Sequence, residues 1–179
     1  VTGSLWDTIA TEAAAESLLW ENALLVASER EELPIFSSLG HDRYALAIES
    51  IYEGYLLHYG RPRLFRAPDA DTAVLLGDYL YAHGLVRLAA HGAVAAVADL
   101  AELISLCTQL RAAAPSSRDD GAVWAATAAL LGSGDGALEQ ARAALRLSGD
   151  PLPLEQVAAG AAGETAVHRA LAAHRGRVE

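Results

Sequence analysis

Apolar residues recur three and four positions apart along most of the chain, the spacing that lines one face of an α-helix. No segment sustains the alternation of β-branched residues that a half-buried strand requires. A first helix is predicted over residues 5–28, where Leu5, Ile9, Leu18, Leu19, Leu24 and Leu25 fall among alanines and acids and Ser4 with Asp7 makes a capping-box pattern. The charged run Glu29-Arg30-Glu31-Glu32 and Pro34 interrupt it. A second helix follows over 41–58, with Ala45, Ile48, Ile51, Tyr52 and Tyr55 at helical spacing, until Gly60-Arg61-Pro62 breaks the chain. Asp71 is the predicted N-cap of a third helix over 72–91 and Gly92 its stop signal; a fourth runs over 93–113, closed by Pro115-Ser116-Ser117. A fifth is predicted over 121–131, a glycine-rich turn over 132–136 and a sixth over 137–147. Beyond Gly149-Asp150-Pro151 a weaker helical region ends near His174. No fixed-period repeat interrupts this order, so the expected fold class is all-α, a single-domain bundle of six to eight helices over residues 1–179.

Composition narrows the partners. At 179 residues the chain can bury a substantial core, and its 53% hydrophobic content, much of it alanine, favours closely packed helices over a sheet sandwich. A net charge of -10 with no basic stripe makes nucleic acid and anionic membrane surfaces poor partners. All 13 basic residues are arginines, which removes lysine chemistry and leaves arginine for any bidentate diphosphate contact. Cys107 is alone, so neither an intramolecular disulfide nor a cysteine zinc cage can form. No run of ~18 apolar residues and no basic-then-apolar leader pattern is present, so no membrane span is expected and the expected location is cytoplasmic.

The run Leu75-Leu76-Gly77-Asp78-Tyr79-Leu80, within Ala73 to Ala89, resembles the "AVLxGDYLLAxAxxLA" helix of the polyprenyl synthetases. Further matches lie in the family's order. Ala47 to His58 is similar to "AxExIHxxSLIHDD" and Gly60-Arg61-Pro62 to "RRGxPT"; Gly121 to Thr127 looks like "KTGALFAAA" and Ala144 to Gly149 like "ALRxFG". The resemblance covers about two thirds of the chain and implies a reduced isoprenoid-synthase-like bundle. Class I prenyl transfer needs magnesium held by two Asp-rich motifs, because that ion prefers hard oxygen ligands and bridges phosphate oxygens. Here the first motif's place, after His58, is taken by Tyr59-Gly60, and Asp150-Pro151 with Pro153 stands near the second. Asp119 and Asp120 replace the lysine before "TGALF", and Glu31-Glu32-Leu33-Pro34 falls where "GKRLRP" would. Carboxylates in place of cations repel a diphosphate.

The resemblance therefore implies a pseudoenzyme with no catalytic residue, metal or cofactor of its own. The expectation is the small or regulatory subunit of a heteromeric prenyl diphosphate synthase, shaping its partner's product cavity, or a homodimer with a scaffolding role. A minimal active prenyltransferase or terpene-synthase relative is the enzymatic alternative; an unrelated helical interaction or ligand-binding domain is the third. In the family the two helices matching 72–113 form the subunit interface, which makes Tyr79, His83, Val86, Val97, Leu100 and Ile104 candidate interface residues, with core packing as the other reading. Asp69 and Asp71 read as capping residues rather than a metal pair, and His83 and His91 are two turns apart, too far to chelate one ion unaided. Asp78 reads as a hydrogen-bonding residue. The Gly132 to Gly136 turn lacks the Lys-Ser or Lys-Thr of a phosphate loop, and no Gly-x-Ser-x-Gly elbow occurs.

Overall fold

Ser4 and Asp7 close the predicted capping box: Ser4 Oγ accepts from the Asp7 N–H at 3.1 Å and Asp7 Oδ2 from the Ser4 N–H at 3.2 Å, starting α1 (Leu5–Glu16). The expected single helix over 5–28 is two. Ser17 is extended (φ -158°, ψ 137°) and its Oγ accepts from the Leu19 N–H at 3.1 Å, so it caps a new helix, α2 (Leu18–Ala23), instead of continuing the old one. That break leaves Leu18 75% exposed. Helicity ends at Ala23 because Leu24 pairs antiparallel with Phe65, through Leu25 N–H to Leu64 O at 2.9 Å and Arg66 N–H to Ala23 O at 2.7 Å.

The computed structural model describes residues 4–113 and 120–178; the predicted Pro115-Ser116-Ser117 break and Asp119 lie outside them. Its second long element, α3 (Ala45–Tyr59), enters through a 3₁₀ turn at Asp42–Tyr44 and is buried nearly all round, with 11 of 15 residues buried. α4 (Ala70–Ala90) begins at Asp69, not at Asp71: Asp69 Oδ1 accepts from the Thr72 N–H at 2.7 Å, while Asp71 is exposed in the first turn. α5 (Val94–Ala113), α6 (Asp120–Leu130) and α7 (Gly136–Ser148) follow within a residue of their predicted limits. The weak last region is two helices, α8 (Leu152–Ala162) and α9 (Glu164–Val178), parted at Gly163, whose φ of 87° suits glycine alone. Splitting the first and last regions raises the expected six to eight helices to nine α-helices among the described residues. They form an all-α, single-domain bundle.

α3 and α4 meet backbone to backbone. A Cβ on Gly54 would stand 2.7 Å from Gly77 O, one on Gly77 2.5 Å from His58 Nε2, and one on Gly84 2.6 Å from Ile51 Cγ1. The glycine of the Gly77-Asp78-Tyr79-Leu80 run is thus a close-approach residue. Two apolar clusters flank α3. One fills the bundle centre with Phe36, Tyr52, Tyr55 and Trp124 among the aliphatic residues of α5 to α9; the other packs Trp6, Ile9 and Trp20 of α1 and α2 on Leu57, Leu64, Phe65, Leu76 and Leu80.

Between the clusters lies a fully buried ion triad. Arg63 donates from Nη1 to Glu49 Oε2 at 2.6 Å and from Nε to Glu53 Oε2 at 2.9 Å, with its guanidinium over the rings of Trp6 (4.7 Å) and Tyr52 (5.0 Å). Glu49 Oε1 also accepts from the N–H groups of Ile35 and Ser37, and Glu53 Oε1 from those of Arg63 and Leu64. Burial alone would lower the Arg63 pKa, but the two carboxylates outweigh it and raise it above the ordinary arginine value.

Replacing Arg63 with Met strands two buried carboxylates and should cost about 3–5 kcal/mol, read from the urea midpoint at constant m-value. Glu49→Leu/Glu53→Leu/Arg63→Met should not recover it, because four backbone N–H groups lose their acceptors. Equal stability of triple variant and wild type would refute that assignment. Gly54→Ala should cost about 1–3 kcal/mol by forcing α3 and α4 apart.

Candidate functional site

His58, Tyr59 and Gly60, expected from the sequence at the place of a first acidic motif, lie at the end of α3. His58 packs its ring on Tyr81 (5.2 Å, 27°) and against Gly77; its Nε2 lies 3.2 Å from Asp78 Oδ1 without the alignment of a hydrogen bond. Burial lowers the His58 pKa and the Asp78 carboxylate offsets only part of that, so the imidazole stays neutral near pH 7. Tyr59 packs on Tyr55 at 5.2 Å. Gly60 ends the helix against the C-terminal turn of α9, where a Cβ would stand 2.8 Å from Arg177 O, and the next N–H, from Arg61, donates to Arg177 O at 2.9 Å. Arg177 in turn forms an ion pair with Glu31. A groove of about 500 Å³ opens here, lined by His58, Tyr59, Arg61 and Arg177.

Asp120 is not the ligand-repelling carboxylate that its place before Gly121 suggested. It begins α6 fully buried, and its charge is met from three sides: Arg111 Nε donates to Oδ2 at 2.7 Å, Tyr55 OH donates to the same oxygen, and His174 Nε2 lies 3.3 Å from Oδ1. The other His174 nitrogen, Nδ1, is 2.9 Å from Tyr52 OH. Arg111 also donates from Nη2 to Tyr55 OH at 2.8 Å. Burial pushes the Asp120 pKa up, but the hydrogen bonds from His174 and Tyr55 and the Arg111 charge outweigh it and hold it below the ordinary aspartate value. Burial, with Asp120 beside it, raises the Tyr55 pKa, so this phenol stays protonated and donates. Sequence spacing carried no signal for this cluster, because its members come from α3, α5, α6 and α9. A groove of about 400 Å³ lined by Tyr59, Thr108, Arg111, Ala112 and Val178 lies beside it.

The candidate interface stripe is largely covered within the chain. Tyr79 lies 6.0 Å from Trp20, its OH 3.4 Å from His83 Nδ1; His83 Nε2 reaches Glu12 Oε2 at 2.9 Å, and Arg87 forms an ion pair with the same carboxylate. Val97 and Ile104 are half-buried against the core, and Leu100, 1% exposed, belongs to it. Val86 alone of the six faces solvent, at 66% exposure. The exposed large apolar residues of this helix pair are Val74, Leu75 and Val86 on α4 and Val94 on α5, so Val86 is shared with the predicted stripe. His91 is exposed beyond the end of α4, so it and His83 do not converge. Among the described residues no three His, Cys, Asp or Glu side chains are placed to hold a metal ion. No described helix is long and apolar enough to cross a membrane. Cys107 is buried, which raises its thiol pKa and leaves it unreactive.

Four carboxylates have lowered folded-state pKa values: Asp120; Glu31, through its hydrogen bond from Arg177; Glu12, where Arg87 and His83 outweigh burial; and Asp69, through its hydrogen bonds from Thr72. Each contributes stability that is full above the unfolded value of about 4 and lost as the pH falls through the lowered folded value. Urea unfolding free energies should therefore decline below about pH 5. Asp120→Asn should make that decline shallower; an unchanged slope would show that Asp120 is not one of the linked groups.

The chain matches no protein-family model, no curated protein and no solved structure, so what it does is read from its own residues.

Proposed function

We infer that the chain is a non-catalytic, polyprenyl synthetase-like subunit that works by association, pairing with a metal-binding prenyl synthase subunit and helping to shape its product cavity. The observation that carries this reading is the filled bundle centre. A substrate tunnel needs open space beside α3, and that space holds Trp124 stacked on Phe36 at 5.5 Å and meeting Tyr52 edge-on at 4.9 Å, with Tyr55 against both Tyr52 and Trp124. The Tyr59-Gly60 end of α3 abuts the last turn of α9. Chemistry on a long apolar diphosphate belongs in a partner, and this chain supplies a wall.

The outer surface of α4 and α5 suits that role. Val74, Leu75, Ala82, Val86, Ala89 and Ala90 on α4 and Val94, Ala95, Ala98 and Ala101 on α5 are exposed, with Asp78 the charge among them. Helices of 21 and 20 residues are roughly 30 Å long at the usual rise, so the pair offers a patch of about 600 Å², close to one side of a standard interface. In a chain of net charge -10, a patch whose named charge is Asp78 alone is where another acidic surface approaches with less repulsion.

Purified chain with magnesium, allylic diphosphate and isopentenyl diphosphate should give no turnover; turnover by the chain alone sinks this reading. Mixed with a prenyl synthase from the same genome that carries both Asp-rich motifs, it should form a complex in sedimentation velocity and shift the product length. Leu75→Glu/Val86→Glu should weaken that complex at least ~10-fold. Self-association without binding to the synthase would favour the scaffolding homodimer.

A further inference from the structure

We propose that the wedge between the segment after α2 and the segment after α3 is a binding site for a monocarboxylate with an apolar body. A cavity of about 420 Å³ opens there, within the usual range for small-molecule sites. Its floor is made by Leu25, Leu57, Pro62, Phe65 and Ala73, with Leu57 and Phe65 buried and the other three half-buried. Glu29, Glu31, Arg61 and Arg66 form its rim, and all four are exposed. An apolar floor under a charged rim selects a molecule that has both characters. The walls stand without an occupant. Leu25 N–H donates to Leu64 O at 2.9 Å, Glu31 N–H to Arg63 O at 3.1 Å and Arg66 N–H to Ala23 O at 2.7 Å, so the two segments are joined along their length. Between Arg61 and Phe65, the buried pairs of Arg63 with Glu49 and Glu53 fix the second segment to α3.

The rim decides the head group. Glu31 is already paired, because both of its carboxylate oxygens accept from Arg177. Arg66 faces Glu29 at 3.7 Å with both side chains more than half exposed, a loose pair that contributes little and that a ligand can replace. Arg61 has no such partner: among the described residues no carboxylate oxygen lies within 4.0 Å of its guanidinium, whose Nη2 donates to the carbonyl of Gly176 at 3.3 Å. Three arginines, Arg61, Arg66 and Arg177, thus stand against two glutamates, and one positive charge remains over the floor in a chain of net charge -10. A single carboxylate matches that charge and the fork geometry of a guanidinium. A diphosphate does not, since it carries more negative charge than the rim leaves uncancelled and meets Glu29 and Glu31 at the same mouth. The cavity shares no residue with the exposed α4 and α5 surface, so either reading can fail alone.

The test titrates the full chain with octanoate, followed by calorimetry and by amide chemical shifts. One saturable site per chain is expected, with a dissociation constant of about millimolar order and the largest shifts in the two segments that wall the cavity. Octanamide, the same body without the charge, should bind at least ~10-fold more weakly, and inorganic pyrophosphate, a charge without the body, more weakly than octanoate. Arg61→Gln, an exposed change, should weaken octanoate binding at least ~5-fold with the circular dichroism unaltered, whereas Glu29→Gln, which frees Arg66, should tighten it. Absence of saturable octanoate binding overturns the proposal, as do shifts centred elsewhere in the chain. Equal binding of the amide, or binding that Arg61→Gln leaves unchanged, overturns it too, because a plain apolar crevice would behave that way. Pyrophosphate binding as tight as octanoate refutes the carboxylate assignment.

Discussion

A full positive charge sits where no water reaches it, and the N-terminal half of the bundle is arranged around making that tolerable. Stripping water from a guanidinium costs several kcal/mol, more than one buried ion pair returns unless the remaining hydrogen-bonding positions are also filled. Arg63 meets that condition through Glu49 and Glu53, a helical turn apart on α3, and through the carbonyl oxygens of Leu33 and Glu49. The two carboxylates leave one negative charge in excess, which the N–H groups of Ile35, Ser37, Arg63 and Leu64 share. Both irregular segments flanking α3 are thereby tied to it. Trp6 closes the cluster from above and carries α1 into place.

The same physics recurs at the centre with a different outcome. Asp120 is paired with Arg111, and its oxygens also meet Tyr55 and His174, whose other nitrogen meets Tyr52. Trp124 Nε1 has no hydrogen-bond partner, and its ring meets those of Tyr52 and Tyr55 at steep angles. The aromatic rings, with aliphatic residues of α5 to α9, fill the bundle centre.

Much of the element order was legible in the chain, and the failures have local causes. The Ser4 capping box, the stops at Gly60, Gly92 and Gly149 and the limits of α5 to α7 are set by residues within a turn of each other. Residues 24–28 read as helix because their apolar spacing is helical, yet the pairing of Leu24 with Phe65 claims them. Ser17 and Asp69 were ambiguous, since several polar residues nearby offer the same cap chemistry. Tyr79 and His83 looked available because nothing in their helix shows that Trp20 and Glu12 cover them.

What the sequence by itself determined was helical identity, the net negative charge and the absence of lysine, all of which depend on composition or on neighbours a few positions away. Only the tertiary structure decided which carboxylates are neutralised and which apolar faces are covered. Arg63 and Glu53 are ten residues apart, Tyr55 and Asp120 are 65, and Tyr52 and His174 are 122. The electrostatic meaning of a charged residue is set by what folding brings within hydrogen-bond distance of it, and no spacing rule reaches that far.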